Sequence, residues 1–170
     1  MADFAPAFEL MIRHEGGFKL HTVAGDRGGK TYAGIAFNYH PEWAGWKLLE
    51  SDPENPELTR MVRDFYKANY WDKVKGDQIS DQKIAESLFD FAVNAGVRTA
   101  AVLAQLVAGV TPDGIIGNQS VAAINQQQAA VFIPNFALAK IARYARIVSK
   151  DASQGKFLLG WINRTLEGLV

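Results

Sequence analysis

Apolar side chains recur at helical spacing along most of the chain. Phe4, Phe8, Met11 and Ile12 mark one face of a first segment, with Asp3 as N-cap, Pro6 in the first turn and Gly16-Gly17 as the stop. Glu15 then falls at the C-terminal end of that helix. Leu58, Met61, Val62, Phe65 and Tyr66 give an inward face to a helix over 56–70, opened by Asn55 as N-cap and Pro56 as the first helical residue. Ser80 or Asp81 caps the next helix, with Ile84, Leu88 and Phe91 on one face and Gly96 as its end. The pattern continues as a helix over 97–108, closed by Gly109. After the turn Thr111-Pro112-Asp113-Gly114, helices are expected over about 118–128, 132–150 and 157–168.

One stretch breaks this rhythm. Gly25, Gly28, Gly29 and Gly34 punctuate residues 18–36, among Thr22, Val23, Thr31, Tyr32 and Ile35. That is turn and short-strand chemistry, and it predicts a small hairpin. His40-Pro41 then opens a short segment carrying Trp43 and Trp46, indoles expected in the core or at its rim. The expected fold is mainly α with one small β-hairpin near the N-terminus. A soft boundary separates two lobes of one compact unit, 1–75 and 76–170.

Composition narrows the function classes. The 170 residues are enough for one domain, with 48% hydrophobic and 21% charged side chains, which excludes disorder as the main state. Lys and Arg number 18, as do Asp and Glu, so there is no basic excess of the kind a nucleic-acid binder carries. A near-zero net charge and the lack of repeats make a monomer the expectation. With no cysteine, disulfides, Cys-ligated metals and thiol nucleophiles are excluded. No apolar run approaches the roughly 18 residues of a membrane span, so no membrane insertion is expected. The N-terminal residues lack a basic, then apolar, leader pattern. Synthesis in the cytoplasm without a signal peptide is expected, and any work outside would need a release route.

The candidate chemistry lies in Glu15-Gly16-Gly17-Phe18 and in Asp26-Arg27-Gly28-Gly29-Lys30-Thr31-Tyr32-Ala33-Gly34-Ile35. A carboxyl at a helix end abuts a glycine-rich hairpin that carries a second one. Desolvation beside apolar groups favours a protonated carboxyl, whereas a solvated turn favours an ionised one. Two carboxyls in such contrasting surroundings are what glycoside hydrolysis needs. Glu15 is the candidate general acid. Asp26, with Thr31, is the candidate for holding a water on the opposite face of the sugar, which in an inverting enzyme requires carboxyls about 6.5–9.5 Å apart.

These residues resemble the N-acetylmuramidase endolysins of glycoside hydrolase family 108, relatives of phage-type lysozymes. The family's H-E-G-G-[YF] helix end is matched by His14 to Phe18, and its D-x-G-G-x-T-x-x-G-I by Asp26 to Ile35. A Y-W-D element followed by G-D is matched by Tyr70-Trp71-Asp72 and Gly76-Asp77, and F-D-x-A-V-N-x-G by Phe89 to Gly96. The D-G-x-x-G of a C-terminal peptidoglycan-binding-type region is matched from Asp113, with Ser120 following. Where the family often has Asn-Asp soon after the first motif, this chain has Lys19-Leu20-His21-Thr22. The resemblance implies a lysozyme-like fold and cleavage of the β-1,4 bond between N-acetylmuramic acid and N-acetylglucosamine. It implies Glu15 as general acid, no metal or other cofactor, and the peptidoglycan glycan strand as partner. It also implies action on the cell wall after release through a holin-type partner, as in phage lysis.

Tyr32, Tyr70, Trp71 and Asn94 are the candidate substrate contacts, the aromatic rings by stacking on sugar and Asn94 by bonding an N-acetyl group; core packing is the equal alternative for the rings, and helix C-capping for Asn94. His14 reads as structural, and His21 and His40 form no cluster for a metal. Asp90 is expected to pair with Arg98 or to serve the site. Lys140, Arg143, Arg146 and Lys150, on one helix, read as a solvated basic face. Asp113, Gly114 and Gly117 read as a tight turn. Two other functions fit the same residues: a lytic transglycosylase using Glu15 alone, and a non-catalytic wall-binding or secretion-associated module.

Overall fold

A computed structural model describes residues 1–22 and 29–169. Asp26 and the glycine turn around it lie outside the described residues. The chain divides into two compact units: Phe4–Asp72, and Met1–Asp3 together with Lys73–Val170. Eight α-helices and one small antiparallel sheet are described, so the fold is mainly α as the periodicity predicts.

The first unit opens with α1 (Phe4–His14), which buries Phe4, Ala7, Phe8, Met11 and Ile12. Three short strands follow, β1 (Leu20–Thr22), β2 (Lys30–Tyr32) and β3 (Ile35–Ala36). The expected hairpin is thus a three-stranded sheet in the order β1-β2-β3, with Thr31 paired to His21 on one side and Ala36 on the other. β2 and β3 are joined by Ala33 (φ 48°) and Gly34 (φ 80°). Two positive φ angles at the centre of a two-residue loop are the signature of a type I′ turn. Then come α2 (Gly45–Ser51) and α3 (Glu57–Tyr66). α3 starts one residue later than expected, with Pro56 rather than Asn55 at the N-cap; Asn55 Oδ1 still accepts from the Glu57 N–H at 3.0 Å.

The helix expected to run to residue 70 instead stops as an α-helix at Tyr66 and continues as a π-helical turn over Lys67–Trp71. In an i→i+5 turn, residues five apart share a side. Tyr66 and Trp71 are both buried accordingly, in a core with Phe4 and Phe8; the Phe4–Trp71 ring centroids are 5.6 Å apart and Phe8–Tyr66 6.2 Å.

The second unit contains α4 (Gln82–Ala95), α5 (Val97–Ala108), α6 (Asn118–Asn125), α7 (Ala129–Lys150) and α8 (Gly155–Glu167). Its first three residues are tied in by backbone: Ala2 N–H donates to Ile79 O at 2.8 Å, and Asp3 exchanges two hydrogen bonds with the Gln82 amide. Asp81 is the N-cap of α4, accepting from Ile84 N–H at 3.0 Å. α4 packs on α5 and α7, and α7 on α8, around Leu88, Phe89, Phe91, Phe132 and Phe136. Buried Ala100, Ala101 and Ala104 keep that face of α5 narrow. The Asp113-Gly114 turn is held from below by Gln105. Its amide N–H groups reach the Asp113 carboxylate (2.7 Å), Ile115 O (3.1 Å) and Ser120 Oγ (2.9 Å), while its carbonyl accepts from Gly114 N–H (2.9 Å). Among the described residues no helix is long and apolar enough to cross a membrane.

Two charged groups have partners here that the sequence did not suggest. Asp90 pairs with Arg164 of α8, at 2.9 Å. Lys140 is not on a solvated face: it is 7% exposed, with its ammonium over Phe136 (4.5 Å) and Phe91 (5.1 Å) and donating to Ser87 Oγ at 3.2 Å. Its companions at i+3, i+6 and i+10, Arg143, Arg146 and Lys150, do not share its depth, because the helix turns it toward α4. Burial pushes the Lys140 ammonium down from 10.5 to about 8; the Asp90 charge opposes this and Arg164 adds to it.

The unfolded chain therefore binds more protons than the native one between pH 8 and pH 10.5. Stability contributed at this residue rises with pH through that window, and the burial penalty is present in full below it. Lys140→Met is expected to stabilise the protein by about 1–3 kcal/mol at pH 7. It should also flatten the rise between the two pH values. Urea unfolding of both proteins at pH 7 and above pH 9 checks this; an unchanged pH slope in the variant would assign the dependence to other groups.

Candidate active site

The corner at the end of α1 is built by backbone first. Gly17 N–H donates to Ile12 O (2.9 Å) and Gly16 N–H to Arg13 O (3.1 Å), with Gly16 at φ 84°. This is the Schellman arrangement, and it makes Glu15 the last residue of the helical spiral. Glu15 is half-buried. The chain then turns back, and Phe18 lays its ring 6.4 Å from that of Phe8.

Opposite Glu15 stands the type I′ turn. A Cβ at Gly34 would lie 3.1 Å from Glu15 Oε2 and 3.2 Å from its Cγ, and would overlap the Tyr66 hydroxyl. The carboxyl of Glu15 therefore rests on the bare Cα of Gly34. Tyr66, fully buried at the end of α3, donates its hydroxyl to Ala33 O at 2.8 Å. A buried phenol requires such a partner, and here the bond fixes a turn whose first residue, a non-glycine at positive φ, is strained. Tyr70, 5.7 Å from Tyr66 between ring centroids, has its hydroxyl pushed up by burial and further by the charge of Glu15. Glu15, Gly34, Tyr66 and Tyr70 thus converge at one place.

The other candidates divide. Thr31 is buried in β2, its hydroxyl donating to Gly29 O at 3.4 Å. Tyr32 is also buried, which raises its hydroxyl, and its ring stacks on Trp43 at 6.3 Å. It supports Trp43 from behind. Trp71 is wholly buried beside Phe4, and an indole with no exposed face cannot stack on a sugar; the π-helical turn explains its inward position. Asn94 is exposed in the last turn of α4, in the other compact unit. Asp26 lies outside the described residues. Among the described residues no group of three His, Cys, Asp or Glu is placed to hold a metal ion.

Tyr66 and Gly34 were not singled out by sequence reasoning as site residues. The readable signal was weak: Tyr66 and Tyr70 lie four apart, on one side of a segment that alternates apolar with charged residues.

No curated protein matches this chain. Among solved structures it is similar to the Structure of Brucella abortus SagA, at 27% identity and a TM-score of 0.72, covering 97% of this chain and 90% of that one. Residues 97–166 match the "Predicted Peptidoglycan domain" family. Residues 8–96, which span the α1 end, the sheet, Tyr66 and Tyr70, match "Glycosyl hydrolase 108", more than half of the chain. The chain belongs to the glycosyl hydrolase 108 family, with a peptidoglycan domain following its hydrolase segment.

Proposed function

We propose that the protein hydrolyses the β-1,4 bond between N-acetylmuramic acid and N-acetylglucosamine in peptidoglycan, with Glu15 as the general acid. The observation that carries this reading is the seating of the Glu15 carboxyl on Gly34, between a helix end and a strained turn, within the hydrolase segment. A carboxyl held by a Schellman helix end on one side and a tyrosine-pinned turn on the other has little freedom to move. Such preorganisation is what proton delivery to a leaving oxygen requires. Tyr70 stands within electrostatic reach of the same group.

In this reading Asp26 activates or positions the attacking water. Thr31 spends its hydroxyl proton on Gly29 O, so it offers that water an acceptor oxygen. The proton leaves Glu15 for the glycosidic oxygen as that bond breaks, and water supplies the hydroxyl of the new reducing end. The segment over 97–166 supports a glycan strand of the wall as the substrate.

Digestion of purified peptidoglycan, followed by borohydride reduction and mass analysis, tests the proposal. Reduced muramic acid ends are expected. Anhydro-muramic ends would replace hydrolysis by intramolecular transfer, and reduced glucosamine ends would move the cleaved bond.

A further inference from the structure

Outside the Glu15 corner, the Phe4–Asp72 unit carries a shallow, open depression of about 340 Å³ lined by Trp43, Arg60, Met61, Asp64, Phe65 and Asn69. We propose that it is a second saccharide subsite, taking one N-acetylated sugar ring of the same glycan strand. The inference rests on the glycan reading above. It adds where a neighbouring ring of the strand is held.

The lining is suited to a sugar. Trp43 and Phe65 meet at 67° with centroids 6.4 Å apart, giving two apolar walls for the C–H face of a pyranose. Asp64 and Asn69 supply polar atoms for hydroxyl and acetamido groups. Asn69 is itself oriented by donating to Phe65 O at 2.9 Å.

Trp43 is also held rigidly. Its indole covers the Cα side of Gly45, where a Cβ would overlap ring atoms, and it stacks on Tyr32 and meets Trp46 edge-on at 5.2 Å. A platform immobilised before binding loses little entropy on binding.

One lining residue points the depression toward the Glu15 corner. Phe65 is the chain neighbour of Tyr66 and lies 6.3 Å from Tyr70, the ring that feels the Glu15 charge. The charge at the rim argues for a neutral ligand. Arg60 is engaged by both Glu57 and Asp64, so it presents no unmatched cation to the carboxylates of a stem peptide.

The test uses full-length Glu15→Gln protein, ¹⁵N-labelled, titrated with a peptide-free octasaccharide of alternating N-acetylglucosamine and N-acetylmuramic acid. The Trp43 indole N–H, assigned with Trp43→Phe, and the amides of residues 60–69 should shift together with Tyr70. Asn69→Ala, and Met61→Trp, which fills the depression, should each weaken binding roughly tenfold, the scale of one lost contact. If Tyr70 shifts while Trp43 stays still, or Met61→Trp binds as tightly as its parent, the subsite is wrong and the Glu15 reading stands. If the octasaccharide shifts neither region, the glycan reading fails with it. If a free stem peptide moves Trp43 and the octasaccharide does not, the occupant is peptide and the saccharide assignment is overturned.

Discussion

Glu15→Gln is expected to lower the rate of peptidoglycan cleavage by about 10²–10⁴-fold, the usual range for losing a general acid. The amide has nearly the shape of the carboxyl and keeps hydrogen-bonding capacity, but it has no proton to give the departing sugar oxygen. The fold should be untouched. The helix end around Glu15 is made by Gly16 and Gly17 bonding backbone carbonyls, not by the glutamate side chain. Thermal melting of the variant should therefore coincide with that of the parent. Glu15→Asp separates chemistry from placement: it keeps the acid and withdraws it by one methylene, and a displacement of about 1 Å can cost a hundredfold. Initial rates of reducing-end release measure all three proteins. A Glu15→Gln protein with more than a tenth of parental activity would remove Glu15 from the acid role.

Gly34→Ala should damage both activity and stability. At φ 80° any L side chain pays about 1–2 kcal/mol in backbone strain. The new methyl also has nowhere to go. It would overlap the Tyr66 hydroxyl, which cannot retreat without breaking its 2.8 Å bond to Ala33 O, and it would crowd Glu15 Oε2 from 3.1 Å. Either the turn opens or the carboxyl is displaced. Cleavage is expected to fall by on the order of a hundredfold. The melting temperature should fall by roughly 4–8 °C, at about 2–4 °C per kcal/mol for a chain of this size. Gly109→Ala is the matched control, because Gly109 has φ 74° with no atom near the position of a Cβ. It carries the backbone strain alone. If the two variants lose equal stability and Gly34→Ala keeps its rate, crowding of Glu15 is not what Gly34 prevents.

Local signals were legible in the sequence where they have local causes. Gly96 and Gly109 bound α5 where glycine punctuation places them, and of Ser80 and Asp81 it is Asp81 whose carboxylate reaches the helix. The end of α1 at His14, with Glu15 just past it, follows from Gly16-Gly17 in the same way. What was not legible depends on partners far away along the chain. Tyr66 reaches Ala33 across 33 residues and Arg164 reaches Asp90 across 74, and no periodicity encodes either distance. For Trp71 the sequence left sugar stacking and core packing both open, and the π-helical turn, which shifts side chains relative to a 3.6-residue pattern, puts the ring in the core. Lys140 was misread because charge alone suggests solvent, whereas a long alkyl stem and two aromatic rings make burial tolerable. The third strand escaped notice because two residues are too few for an alternation to register.

The seam between the two matched family segments falls at 96/97, between α4 and α5, yet both helices belong to the same compact unit. The ion pair from Asp90 to Arg164 and the bond from Lys140 to Ser87 both cross that seam. A fragment starting at Val97 would strip α5 and α7 of α4 and bare their buried faces to water. Swaps of wall-recognition segments between relatives made at that point would pair Asp90 with a foreign residue. A cut that follows the compact units lies instead at 72/73, and it must carry residues 1–3 along, since Ala2 and Asp3 bond to Ile79 and Gln82. An exchange that follows the compact units would move residues 4–72 as an internal insert rather than cut off a tail.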